Sequence, residues 1–143
     1  MTLTPSTIKQ LWTILVIEIL AIPVVMGIFQ FIEPKKVASV VAAIVFMGIG
    51  FGILHMTRKW PDAYASFVYW LIHVHLFVFA IPMFVGRIAF WNKNFDDIKF
   101  LIFTGPEFHK LSTKIYFMLL AGTVIDIITH TLKARRLKKK TEV

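Results

Sequence analysis

Residues 11–26 read LWTILVIEILAIPVVM, an apolar run whose only charge is Glu18. With its flanks the run extends from Ile8 to Ile32. An α-helix rising 1.5 Å per residue needs ~20 residues to cross a ~30 Å hydrocarbon core. A carboxylate inside such a helix costs on the order of 2.5–3.5 kcal/mol on insertion scales and therefore needs a reason to be there. The stretch thus defines a membrane span with a candidate functional group at its centre. Thr4-Pro5-Ser6 supplies a helix cap and a first-turn proline ahead of it. Its length and the acidic Glu18 argue against a cleaved signal peptide, so the span is expected to be retained.

Three more stretches have the same character: Val37–Met56, Ala65–Trp91 and Lys114–Ala134. The connections at 33–36 and 57–62 are short, which forces successive helices to be antiparallel neighbours. The expected fold is an all-α membrane protein with four transmembrane helices in an up-down antiparallel bundle. It forms a single integral membrane domain over 1–143, with a basic tail at 135–143. Asn92 to Thr113 mixes Phe95, Ile98, Phe100, Leu101, Ile102 and Phe103 with Asp96, Asp97 and Lys99. This pattern predicts an interfacial segment between helices 3 and 4, ended by Gly105-Pro106.

Composition agrees. Of 143 residues 57% are hydrophobic and 17% charged, and the mean hydropathy is +0.73, whereas soluble domains hold roughly 45–50% apolar residues. The net charge of +8 comes from 16 basic against 8 acidic residues, placed mostly between and after the apolar runs. This fits contact with a lipid surface rather than with nucleic acid. With no cysteine, disulfides, thiolate metal sites, iron–sulfur clusters and Cys nucleophiles are excluded. No Gly-rich phosphate loop, hydrolase elbow or zinc-protease helix is present, so no enzymatic reaction is named.

An even number of spans puts both termini on one side. Lys133, Arg135, Arg136, Lys138, Lys139 and Lys140 form the densest basic cluster, which predicts a cytoplasmic C-terminus and hence a cytoplasmic N-terminus. Ala21-Ile22-Pro23 and Gly27 in helix 1 recur as Ala80-Ile81-Pro82 and Gly86 in helix 3. Helices 2 and 4 each end in a His followed three residues later by a basic residue, His55/Arg58 and His130/Lys133. Two duplicated hairpins would explain these matches, and so would convergence within apolar helices.

The spans carry Glu18, His55, His73, His75, Asp126 and His130. By position along their helices, Glu18, His73 and Asp126 fall at similar depth, with His55 and His130 nearer the cytoplasmic surface. Residues three and four apart share a helix face, so Gly122/Thr123, Asp126 and Thr129/His130 form one stripe. Ser66, Tyr69 and His73 form a second, and Gly48, Gly52 and His55 a third. Such stripes are expected to turn into the bundle, with Glu18 pairing to His73 or His130.

Three functional readings follow. In the first, a b-type haem is held between two imidazoles drawn from His55, His130 and His73, making the chain a small redox subunit. In the second, Glu18, Asp126 and His73 form a proton relay or ion site in a proton-coupled transporter or ion-handling homo-oligomer, with Trp12, Tyr69 and Trp70 lining a cation path. A transition metal at Asp126, His130 and His73 is a variant of it. In the third, the same groups are interhelical glue in a non-catalytic subunit of a larger membrane complex, with a Gly48-x-x-x-Gly52 packing contact. The expected partners are the bilayer and either further copies or other membrane subunits.

Overall fold

A computed structural model describes residues 5–60 and 63–142. Helix α1 is Pro5–Phe31 and α2 is Lys35–Arg58. The third span, Phe67–Ala89, is composite: α3 (Phe67–His73), a π-helical segment (Val74–Ala80) and α4 (Ile81–Ala89). A short antiparallel ribbon follows, β1 (Lys99–Phe100) with β2 (Phe103–Thr104), Phe100 opposite Phe103. The last helix, α5, is Gly105–Thr141. Four helical spans are long and apolar enough to cross a membrane. Large apolar side chains such as Leu20, Met26, Phe77 and Ile128 lie exposed on their outer faces, a surface suited to lipid and unsuited to water.

The spans close around Leu11, Ile14, Ile53, Ile72, Leu76 and Leu119. Helix α1 packs on α2 and α5, α2 on α3 and α4, and α3 on α5. Two polar ties join the ends of spans: Trp60 Nε1 donates to Gln10 Oε1 at 2.5 Å, and Lys36 Nζ donates to the Trp91 carbonyl at 2.7 Å.

The π-helical segment has a local cause. Pro82 has no N–H to donate and its ring would meet the carbonyl of residue 78, four positions earlier. The chain responds by adding a residue to the turn: the Ile81 N–H donates to the Leu76 carbonyl, five positions back. Pro23, by contrast, sits inside an uninterrupted α1, so the two matching Ala-Ile-Pro stretches have different backbones.

The expected Gly48/Gly52 packing contact is not formed. Both glycines are exposed on α2, and a Cβ at either would meet nothing within 4 Å. Gly50, roughly 200° round the helix from each of them, is the buried one. A Cβ there would lie 2.9 Å from Leu76 Cδ1. The i, i+4 spacing identified a face but not its direction.

The last helix begins nine residues earlier than Lys114 and runs on through most of the basic tail. Gly105-Pro106, read in the sequence as a breaker, is its first turn. Thr104 Oγ1 accepts from the Glu107 N–H and the Glu107 carboxylate accepts from the Thr104 N–H, a reciprocal capping box. The remaining connection packs Phe100 flat on Phe108, ring centroids 4.5 Å apart, while Leu101 and Ile102 project at its tip.

Candidate functional site

Glu18 is wholly buried, at 0% exposure. Its Oε1 accepts from Thr123 Oγ1 at 2.9 Å, and its Oε2 has no hydrogen-bond partner among the described residues. Thr123 lies on the stripe of α5 that faces α1, and its hydroxyl also reaches the Leu119 carbonyl. Two turns earlier on α5, the Tyr116 hydroxyl donates to the backbone carbonyl of Glu18. Glu18 is therefore held by α5, and the predicted pairing with His73 or His130 gives way to a hydroxyl. Thr123, one turn from Asp126 on the stripe expected to face inward, occupies the place opposite Glu18; its spacing gave the face and not the partner.

Asp126 is also buried, but its work is different. Its carboxylate accepts from Ser66 Oγ at 2.6 Å and from the backbone N–H groups of Phe67 and Val68 at 3.2 and 3.0 Å. Those amides open α3 and have no partner within their own helix. Asp126 thus caps α3 from across the bundle, supplying acceptors that the bilayer cannot. The Ser66 and Asp126 faces do turn inward, as their spacing predicted.

The histidines divide. His130 is buried one turn beyond Asp126 and His55 is exposed with Gly48 and Gly52 on the outer face of α2. His73 is half-buried, its Nδ1 2.6 Å from the Tyr69 carbonyl of its own helix and its ring against Tyr69 and Phe77. Among the described residues no three His, Asp or Glu side chains gather as a metal-binding group, so the Asp126–His130–His73 metal site is not formed. Trp12 and Trp70 point outward and line no internal path.

The histidine left out of the candidate set, His75, is 4% exposed. It lies on the wall of a cavity of about 490 Å³ bounded by the second half of α1, the first half of α2, the π-helical segment with α4, and the first third of α5. Most of the lining is apolar, including Ile22, Val25, Ala42, Phe46 and Met83. At one end the His75 ring meets Phe46 edge-on at 6.1 Å and Tyr116 at 5.5 Å. Elsewhere on the lining stand Arg87 and His109. Tyr116 belongs both to this wall and to the bond with the Glu18 backbone carbonyl, so the wall touches the helix turn that carries Glu18. Pro82, seven residues after His75, was the sequence signal for it: the extra residue in the π-helical turn re-aims the faces upstream of the proline.

No family model, curated protein or solved structure matches the chain.

Proposed function

We propose that the chain is an up-down antiparallel four-helix membrane protein, with both termini in the cytoplasm, that exchanges a proton at Glu18 while moving a small ligand. This is proton-coupled transport by a homo-oligomer. The observation that carries the reading is a fully buried carboxylate with one oxygen held and the other unpartnered among the described residues, on a residue whose backbone carbonyl is bonded by Tyr116 of the cavity wall. A carboxyl group needed only for packing would have both oxygens satisfied, as Asp126 does. Tyr116 and His75 lead from Glu18 to the cavity, and 490 Å³ is ample for the waters that would complete a proton path. The ties Trp60–Gln10 and Lys36–Trp91 support the antiparallel order. Gly48, Gly52 and His55 on the outward face of α2 supply a close-approach surface with one hydrogen-bonding group, suited to a second copy.

Infrared titration of the protein in bilayers tests this. A carboxylic-acid band that appears and disappears with pH and is missing in Glu18→Gln is expected, together with a pH-driven proton flux in vesicles that the same variant loses. A band and a flux indifferent to Glu18→Gln would overturn the reading.

A second reading keeps haem. The cavity carries His75 at one end and Arg87 elsewhere on the same lining, an imidazole for an axial position and a cation for a propionate. His75, rather than His55, His130 or His73, is then the axial candidate. A Soret band in the purified protein that His75→Ala removes would support it, and a colourless protein would eliminate it.

A further inference from the structure

The polar side chains on the cavity wall are the hydroxyls of Ser39, Ser112, Thr113 and Tyr116 and three basic groups, with no acidic one among them. No Asp or Glu lines it, while Arg87, His109 and His75 do, so a cationic ligand would find no counter-charge. Arg87 is half-buried, and its guanidinium carbon sits 3.8 Å above the centre of the Phe95 ring. This contact uses the charge and leaves the N–H donors unspent. Among the described residues Arg87 has no side-chain hydrogen bond and no ion pair; the ion pair found there joins Lys35 to Glu33. A partly desolvated guanidinium with five free donors is matched by a carboxylate or phosphate, which it binds through paired N–H groups.

The rest of the cavity specifies the body of the ligand. Its wall is chiefly aliphatic and aromatic, and Met26 and Phe117, both more than half exposed on the lipid-facing surface, belong to the lining as well. The space is therefore continuous with the bilayer, so a molecule dissolved in lipid reaches it without crossing water. Arg87 and His75 are twelve positions apart on one span, roughly 18 Å along a helix axis. That is close to the thickness of one leaflet, half of ~30 Å. His75, 96% covered and without a side-chain hydrogen bond among the described residues, offers one polar contact at the inner end.

We propose that this cavity binds an anionic amphiphile taken from the bilayer, a single acyl chain lying between α1, α2, α4 and α5 with its carboxylate or phosphate head on Arg87. The inference goes beyond proton exchange at Glu18 and does not depend on it, because it concerns equilibrium binding at a different set of side chains.

Native mass spectrometry of the protein in a neutral detergent, with laurate, methyl laurate, lysophosphatidate or lysophosphatidylcholine added, tests the proposal. Laurate or lysophosphatidate is expected to bind stoichiometrically, whichever is tighter identifying a free fatty acid or a phospholipid as the source. The uncharged ester and the zwitterion should bind about tenfold more weakly or worse, the loss of one charge-assisted contact. Arg87→Gln should weaken the anions by a similar factor and leave the ester unchanged, and Ala43→Phe, which fills the cavity, should exclude all four. Equal binding of laurate and its ester to the unaltered protein would overturn the proposal without any variant. Undiminished anion binding by a folded Arg87→Gln would do the same.

Discussion

Two buried carboxyl groups at comparable depth, Glu18 and Asp126, are held differently here because of what faces them. Asp126 meets a hydroxyl and two helix-end amides, whereas Glu18 meets one hydroxyl and keeps an oxygen unpaired. Interhelical hydrogen bonds in membranes average ~0.6 kcal/mol, so removing three acceptor contacts should cost roughly 2 kcal/mol. Asp126→Ala is accordingly expected to lower unfolding free energy in mixed micelles by about that amount. Thr123→Val, which removes a single contact to Glu18, should cost only about a third as much. Equal losses for the two would show that Asp126 does not cap α3. The sequence reveals that both acids are too deep to be accidental, since depth follows from counting residues along a helix. It does not reveal their partners: Thr123 and Ser66 are ordinary residues for a membrane helix, and their roles arise from which helix lies opposite.

At the scale of the helical element, the informative positions are those where backbones approach or deviate. Gly122 on α5 is pressed against α3, and a Cβ there would stand 2.9 Å from Leu71 Cδ1 and 3.2 Å from Phe67 Cβ. Gly122→Val should therefore destabilise by about 1–3 kcal/mol through overpacking. Gly48→Val, on the open face of α2, should stay within about 0.5 kcal/mol. Thermal unfolding in detergent compares them, and a larger penalty at Gly48 would refute the rotation assigned to α2. The spacing of Gly48, Gly52 and His55 defined a common face, but periodicity is blind to whether that face looks inward or outward. The composite third span makes the same point: Pro82 was visible as a helix disturbance, while its resolution by a π-helical turn, and the resulting burial of His75 in preference to His73, depended on contacts with α2 and α5.

For the whole molecule, a belt of large apolar side chains and the stripe of Gly48, Gly52 and His55 on α2 lie exposed. If the stripe on α2 joins copies, Gly52→Leu should shift the protein from oligomer to monomer, as read by cross-linking in bilayers, while leaving the fold intact. An unchanged oligomer size would place the contact elsewhere, and a monomeric unaltered protein would remove it. The basic end of α5 belongs to this scale too. Its lysines and arginines continue a rigid helix to Thr141, so their charge is carried on a helix beyond the apolar span and is presented as a fixed cluster.

Length of apolar run and the position of ionisable groups within it were sufficient to give four helices long and apolar enough to cross a membrane and to single out Glu18 and Asp126, because the cost of polar atoms in hydrocarbon arises locally, residue by residue. The different partners of those acids, the burial of His75 where His55 stands exposed and His73 half-buried, and the cavity lined by Arg87 were decided by tertiary structure alone. Each depends on the rotation of one helix against another. That rotation is set by packing across the bundle, where a change of about 100° per residue moves a side chain from lipid to core.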